Sequence, residues 1–283
     1  MTRAAAFFDL DKTVIAKSST LAFGRPFFHG GLINRRAVLK TAYAQLVFSR
    51  AGADAEQMER LRTRLTAMVT GWDAGTVQEI VRETLHEIVD PLVYAEAADL
   101  IEEHRAAGRE IVIVSSSGAE MVEPIGEMLG VDRVVATRMV TADGRYTGEI
   151  DFYAYGENKA EAMRRLAEES GYDLADCYAY SDSITDLPML AAVGHPTAVN
   201  PDRALRRAAL ERGWPVLQFT RPVSMRARFS APAAPVMTGA AMGVGAAVVG
   251  LAWYARHRAL RAGPMAPVDA SGPVTGRRRR RGA

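Results

Sequence analysis

Cysteine is almost absent from this chain of 283 residues, in which Cys177 stands alone. One thiol cannot build an intramolecular disulfide framework, so the class of small disulfide-stapled secreted proteins is excluded and a reducing compartment is favoured. The first residues also lack a separate apolar segment followed by a cleavage site, because Met1 to Ala4 lead directly into an apolar run. We therefore expect no signal peptide.

Lysine and acidic residues are nearly missing from the last part of the chain. From Arg221 onward there are eleven arginines, no lysine and one acidic residue, Asp269, which gives this segment a net charge of +10. Residues 1–220 contain 24 basic and 32 acidic residues, a net charge of −8. The overall charge of +2 therefore combines an acidic domain with a basic tail, and the two parts need separate explanations.

Short apolar strands alternate with helices through most of the acidic part, which predicts an α/β fold with a doubly wound parallel sheet. The β-branched run Ile111 to Val114 is typical of a central parallel strand. Between the first two strands, residues 16–90 are predicted to be mostly helical, with Asp73 as the cap of one helix. The expected strands are 4–9, 110–115, 133–139, 177–180 and 196–199, and the expected helices are 35–49, 55–70, 95–107, 119–129, 158–170 and 185–192.

Two aspartates with one residue between them end the first apolar run, in the sequence Phe7-Phe8-Asp9-Leu10-Asp11-Lys12-Thr13. Alternate side chains of an extended segment share a face, so Asp9 and Asp11 are expected to emerge near each other. Two carboxylates forced together repel, and such a pair favours a divalent cation or a shared proton.

Three further elements place polar side chains at predicted strand ends or helix starts. Ser115 follows Ile-Val-Ile-Val, Lys159 lies in the first turn of a helix, and Asp182 and Asp186 follow a strand four residues apart. Taken singly, each has an ordinary structural reading: a helix-capping serine, a surface lysine, and a cap followed by a first-turn carboxylate. Their order along one chain is more specific than any one of them.

The order D-x-D-x-T, strand-Ser, Lys and D-x-x-x-D resembles motifs I to IV of the haloacid dehalogenase (HAD) phosphohydrolase superfamily over residues 4–220. The helical insert resembles the cap of the HAD-IB subfamily that contains phosphoserine phosphatases. Ala179-Tyr-Ser-Asp-Ser183 and Val193-Gly-His-Pro-Thr-Ala-Val-Asn-Pro201 are similar to a bacterial HAD-IB group, whose relatives include inhibitors of morphological differentiation. The resemblance implies a core of residues 1–15 and 91–220 with a cap at about 16–90.

The resemblance also implies the role of each motif residue in a Mg²⁺-dependent phosphatase. Asp9 would be the nucleophile that forms an aspartyl-phosphate, and Asp11 would protonate the leaving alcohol and then activate water. Ser115 and Lys159 would hold the phosphoryl oxygens. The Mg²⁺ ligands would be Asp9, the backbone carbonyl of Asp11, and Asp182, while Asp186 would orient Lys159 or a metal-bound water.

The cap residues that select the substrate depart from the phosphoserine phosphatase pattern. Nine residues after the nucleophile, where those enzymes carry a Glu that binds the substrate ammonium, this chain has Ser18 beside Lys17. Arg64 lies in a local pattern similar to that of the Arg that binds the substrate carboxylate in those enzymes. The pattern fits equally well a solvent-exposed Arg on the surface of a helix. Ser116 is a further candidate for contact with the substrate. Because the Glu is missing, the sequence favours a small phosphomonoester other than phosphoserine, and a lipid-linked phosphate is one such substrate.

Two alternatives to that function stay open. One is phosphoserine phosphatase itself, and the other is a regulatory protein that binds a phosphorylated metabolite with little turnover. The acidic residue Asp11 favours turnover, because a protein that only binds its ligand has no need of a general acid.

The composition of the C-terminal segment predicts that the protein associates with a membrane. After a linker at 221–231, residues 232–254 carry no charge and are long enough to span a bilayer as a helix, and Trp253 and Tyr254 end the segment where an aromatic belt would lie. We expect a membrane-associated protein with a cytoplasmic catalytic domain and a basic, disordered tail at 255–283. An Ala/Gly-rich helix packed on the enzyme or a partner is the alternative. The arginine run lacks aromatic interleaving, so no nucleic-acid partner is expected.

Overall fold

The computed structural model describes residues 3–33, 63 and 66–222. The described residues contain seven strands: β1 Ala5–Phe8, β2 Glu110–Gly118, β3 Arg133–Ala142, β4 Arg145–Phe152, β5 Tyr178–Ser181, β6 His195–Val199 and β7 Val216–Leu217. The α-helices within these residues are α1 Ser19–Ala22, α2 Gly24–His29, α3 Ala74–Ile88, α4 Ala95–Ala106, α5 Ala119–Leu129, α6 Glu157–Ser170, α7 Leu187–Ala191 and α8 Arg203–Arg212.

The seven strands form one sheet in the order β4-β3-β2-β1-β5-β6-β7. Every pairing is parallel except β3 with β4, which form an antiparallel hairpin at one edge. The chain starts in the middle of the sheet and fills first one side and then the other. This confirms the predicted α/β fold with a doubly wound, mostly parallel sheet. The carboxyl ends of β1, β2 and β5 lie side by side, so the residues that follow them are neighbours.

Helices cover both faces of the sheet because β1 points its side chains alternately to the two sides. Ala6 and Phe8 join a cluster that α3, α4 and α5 complete. Ala5 and Phe7 join a second cluster built with α6, α7 and α8. With both faces buried, the central strands read as continuous apolar runs in the sequence.

Most predicted elements are found within a few residues of their expected bounds. Asp73 caps α3 as predicted, since its Oδ1 accepts a hydrogen bond from the Thr76 amide at 2.9 Å. β2 continues past the predicted end at Ser115 as far as Gly118. The predicted helix 185–192 begins as a 3₁₀ turn at Ile184–Asp186 and becomes α7.

Several predictions lie wholly or largely outside the described residues. They are the helix at 35–49, most of the helix at 55–70, and the segments 232–254 and 255–283. Within the residues that are described, no helix combines the length and apolar character needed to cross a bilayer. The division of residues 1–220 into core and cap stays a prediction.

A buried histidine links α4 to the centre of the sheet. His104 is 2% exposed, its Nε2 lies 2.7 Å from the Tyr180 hydroxyl, and its Nδ1 lies 2.9 Å from Arg109 Nη1. Burial, together with the charge of Arg109, lowers the pKa of His104 to about 4. The folded protein therefore holds this imidazole neutral in the pH range where an unfolded chain would protonate it.

We predict that this histidine makes the protein less stable in mild acid. The pKa of His104 is about 6.5 in the unfolded chain and about 4 in the folded protein. Its contribution to the free energy of unfolding is therefore fully present above pH 6.5 and is lost as the pH falls towards 4. At pH 5 the loss from His104 should be about 2 kcal/mol relative to pH 7.5. Urea unfolding of wild type and His104→Gln at both pH values measures it. The prediction is wrong if the variant loses as much stability between the two pH values as wild type does.

Candidate active site

The loop after β1 presents two aspartates at the carboxyl edge of the sheet. The Asp9 amide donates to the Tyr180 carbonyl at 2.9 Å and extends the pairing of β1 with β5. The chain then turns around the Leu10 carbonyl, which accepts from the amides of Val14 at 2.9 Å and Ile15 at 3.1 Å. Lys12 sits inside this turn with φ +64°, a left-handed conformation that a non-glycine residue adopts only when its surroundings hold it there.

Lys159 lies between two carboxylates at the centre of the site. Its ammonium group donates to Asp9 Oδ1 at 2.7 Å and to Asp186 Oδ2 at 2.8 Å, and the Lys159 residue is only 2% exposed. Burial opposes the charge on Lys159, but the two carboxylates outweigh it and the net shift of its pKa is upward. The first turn of α6 thus inserts a permanent positive charge beside Asp9. The prediction that Lys159 belongs to a site rather than to the surface fits this geometry.

The loop after β5 supplies the other two carboxylates. Asp186 Oδ2 also accepts from the Ser181 hydroxyl at 2.7 Å, which fixes this carboxylate against Lys159. Asp182 is 8% exposed, and the ammonium of Lys12 lies 4.0 Å from its Oδ2. Asp182 is therefore a buried carboxylate whose positive neighbour is distant and itself exposed to solvent.

Burial raises the pKa of both aspartates that were predicted to bind metal. For Asp9 it reaches about 8, because burial and the charges of Asp186 and Asp182 outweigh Lys159. For Asp182 it reaches about 7, where burial and Asp186 outweigh Lys12 and Lys159. The site's own cations do not balance its carboxylates, so it favours additional positive charge.

Serines of β2 and of α1 surround Asp11. The Ser117 hydroxyl donates to Asp11 Oδ2 at 3.1 Å, and the Ser19 amide donates to Asp11 Oδ1 at 2.8 Å. Burial raises the pKa of Asp11, against the lowering effect of hydrogen bonds from Ser19, Ser117 and Ser18. A carboxyl group with a raised pKa keeps its proton to a higher pH than an ordinary aspartate does, which suits it to act as a general acid.

Ser115 and Ser116 end up in different environments. Ser115 is 1% exposed, and its hydroxyl accepts from the Ser117 amide at 3.2 Å. Ser116 is exposed, and its carbonyl accepts from the Thr137 hydroxyl at 2.8 Å. Burial alternates only at the end of β2, where Ser115 and Ser117 are buried and Ser116 between them is exposed, so Ser115 and Ser117 share the buried environment near Asp11.

The structure therefore brings most of the predicted site residues together: Asp9, Asp11, Ser115, Lys159, Asp182 and Asp186. Ser18 lies next to them as the residue before α1, whereas Arg64 is outside the described residues. Sequence reasoning missed Ser19, Ser117 and Ser181. Strand alternation from Ser115 could have indicated Ser117, but nothing in the sequence marked Ser19.

The donor set fits a magnesium ion. In the described part of the chain, no three His, Cys, Asp or Glu side chains converge as a set that could hold a metal on their own. The site implied by the resemblance needs only two carboxylates, Asp9 and Asp182, with the carbonyl of Asp11. These are the oxygen ligands that Mg²⁺ prefers, and water and substrate usually complete its octahedron.

Comparison with known families agrees with the motif order and the geometry. The family of haloacid dehalogenase-like hydrolases matches residues 6–191, which contain every site residue placed above. The chain belongs to this family. Its members named phosphatase, together with this match, identify the protein as a phosphomonoesterase.

Three curated relatives are similar over most of the chain. A Streptomyces azureus protein named for inhibition of morphological differentiation is 64% identical over 90% of this chain and 94% of its own length. A probable phosphatase of Mycobacterium tuberculosis is 62% identical over 90% of both chains. A phosphoserine phosphatase of the same organism is 34% identical over 87% of this chain and 80% of its own.

We predict that Lys159→Met destabilises the fold as well as the site. Removing the ammonium leaves Asp9 and Asp186 buried without their cation, which should lower the free energy of unfolding by about 3 kcal/mol at pH 8. The loss should shrink at pH 5, because burial raises the pKa of Asp9 to about 8 and the protonated carboxyl group no longer needs the ammonium as its partner. Denaturant unfolding at the two pH values measures this.

The matched control is Arg207→Met, which removes an exposed ion pair with Glu211 at 3.8 Å. It should cost about 0.5 kcal/mol or less at either pH. Equal losses for the two variants would contradict the charge arrangement described for Lys159.

Proposed function

We propose that this phosphomonoesterase hydrolyses a small phosphomonoester through an aspartyl-phosphate on Asp9, with Mg²⁺ as its cofactor. The observation that carries the proposal is the buried contact of Lys159 with both Asp9 and Asp186. The Lys159 ammonium favours the charged form of Asp9 against the effect of burial, and it presents a positive charge to an incoming phosphate dianion. Mg²⁺ held by Asp9 would favour the charged nucleophile further. Phosphoryl transfer depends mainly on this kind of positioning and charge neutralisation.

In the proposed reaction, a carboxylate oxygen of Asp9 attacks phosphorus while the ester oxygen leaves. Asp11 gives its proton to that oxygen and afterwards takes a proton from the water that hydrolyses the aspartyl-phosphate. Ser115 and Lys159 hold the phosphoryl oxygens, and Asp186 keeps Lys159 in position. When bound by Asp9, Asp182 and the Asp11 carbonyl, Mg²⁺ would neutralise the charge of the phosphate and align it for attack.

The proposed substrate is a small phosphomonoester other than phosphoserine. Ser18, partly exposed before α1, carries no charge that could pair with a substrate ammonium. The runner-up is phosphoserine phosphatase, which the name of the 34% identical relative supports. Arg64, on which recognition of a carboxylate would depend, stays a prediction.

A regulatory role is the second class of function, and the name of the Streptomyces azureus relative favours it. In that case the protein would bind a phosphorylated metabolite, and its effect would survive loss of the nucleophile. Membrane association through 232–254, which would suit a lipid-linked phosphate, likewise stays a prediction.

We predict that Asp9→Asn abolishes phosphate release while the protein still folds. The amide is a poor nucleophile, so kcat should fall by at least about a thousandfold, and chelation of Mg²⁺ should stop wild type to a similar degree. Phosphate release is measured with a panel that includes phosphoserine, lysophosphatidate and p-nitrophenyl phosphate. Arg207→Met serves as the control and should retain wild-type rates.

The same panel separates the alternatives. Phosphoserine as the best substrate would favour the runner-up. Absence of turnover for every compound by a folded, Mg²⁺-binding wild type would contradict the proposed enzyme and favour the regulatory role.

A further inference from the structure

The general acid proposed above is held by a short chain of hydroxyl groups. The Ser19 hydroxyl donates to Ser117 Oγ at 2.9 Å, and the Ser117 hydroxyl donates to Asp11 Oδ2 at 3.1 Å. The Ser19 amide donates to the other oxygen, Oδ1, at 2.8 Å. Both oxygens of Asp11 are therefore fixed by residues from two separate parts of the chain, residue 19 and residue 117.

We propose that Ser117 and Ser19 are positioning residues that aim Asp11 at the leaving-group oxygen. This inference rests on the proposed function, because it concerns how the acid of that reaction is placed. Ser117 is 7% exposed and Ser19 fully buried, so water does not readily replace either hydroxyl. A carboxyl group held at both oxygens cannot rotate about its side-chain bonds, and its proton meets the substrate in one orientation.

The position of Ser117 on β2 gives it a second contact within the site. Its amide donates to Ser115 Oγ at 3.2 Å, so the residue that fixes the acid also fixes a hydroxyl proposed to hold the phosphate. The end of β2 therefore positions both the general acid, through the Ser117 hydroxyl, and the proposed phosphate contact, through Ser115.

Ser19 connects this arrangement to the helical insert. It is the first residue of α1, which begins ten residues after the nucleophile. Any movement of α1 would pull on the Ser19 amide and hydroxyl together, and through them on Asp11. The geometry thereby ties the position of the acid to the position of the first insert helix.

Asp11 acts as an acid only in the first step, the transfer of the phosphoryl group to Asp9, whereas its later role as a base towards water is the same for every ester. In the first step the bond from an Asp9 oxygen to phosphorus forms and the phosphorus–ester oxygen bond breaks, while the proton of Asp11 moves to the departing oxygen and yields the alcohol. An alkoxide is a poor leaving group and needs that proton, whereas p-nitrophenolate leaves without help. Misplacing Asp11 should therefore slow alkyl esters far more than aryl esters.

The experiment compares kcat/KM for an alkyl phosphate that wild type hydrolyses with kcat/KM for p-nitrophenyl phosphate. Ser117→Ala should lower the value for the alkyl ester about thirtyfold and the value for the aryl ester less than about threefold. Ser19→Ala should shift the ratio in the same direction and provides a second variant if Ser117→Ala folds poorly. In the double variant the two effects should be less than additive, because both act through one chain of hydrogen bonds.

Ser170→Ala is the matched control, since Ser170 is also a buried serine, at the far end of α6, about 16 Å along the helix from Lys159. It should leave the ratio unchanged. An equal loss for both esters in Ser117→Ala and Ser19→Ala would overturn the positioning role. A wild type that hydrolyses neither ester would instead refute the proposed function on which the inference rests.

Discussion

The contact of Lys159 with Asp9 and Asp186 is the interaction on which the rest of the site depends. It joins the loop after β1, the start of α6 and the turn after β5, and the first and last of these are 177 residues apart in the sequence. Removing three charged groups from water is unfavourable, and apolar packing on both faces of the sheet must offset that cost. The doubly wound fold supplies this packing, because its parallel strands are buried on both faces. It also brings the three segments together, because those strands end at a common edge.

The carboxylates of the site carry more negative charge than its own lysines neutralise, so the site favours a bound cation. Asp9, Asp182 and Asp186 are buried around one fully buried ammonium, and Lys12 approaches Asp182 only to 4.0 Å from a solvent-exposed position. A divalent cation would supply the positive charge that these carboxylates lack, and a phosphate dianion would then face that cation and the Lys159 ammonium rather than unpaired carboxylates. Burial is the main reason that the pKa values of Asp9 and Asp182 are raised, and the neighbouring carboxylates add to the rise.

Much of the site could be predicted from the sequence, since each of its motif residues directly follows a recognisable strand or begins a helix. Asp9 and Lys159 belong to such motifs, and a parallel sheet brings motifs of this kind to one edge whatever their separation. Ser117 was missed because β2 was expected to end at Ser115. Once the strand continues to Gly118, alternation buries Ser117 beside Asp11 and exposes Ser116.

Other features could not be predicted because they depend on pairs that only the folded chain brings together. His104 meets Tyr180 across 76 residues, and no local pattern distinguishes it from a surface histidine near a helix end. The contact of Ser19 with Asp11 depends in the same way on how the chain passes from the loop after β1 into α1. Local periodicity predicts elements, but the partners of a buried polar group follow from packing.

Trapping the phosphorylated enzyme tests the central claim most directly. Wild type mixed with substrate and Mg²⁺ is quenched in acid, digested and analysed by mass spectrometry. The account predicts a phosphoryl group on Asp9, labile to hydroxylamine as an acyl phosphate is, and none in Asp9→Asn. Rapid turnover with no phosphorylated Asp9, or with the phosphoryl group on another residue, would contradict it.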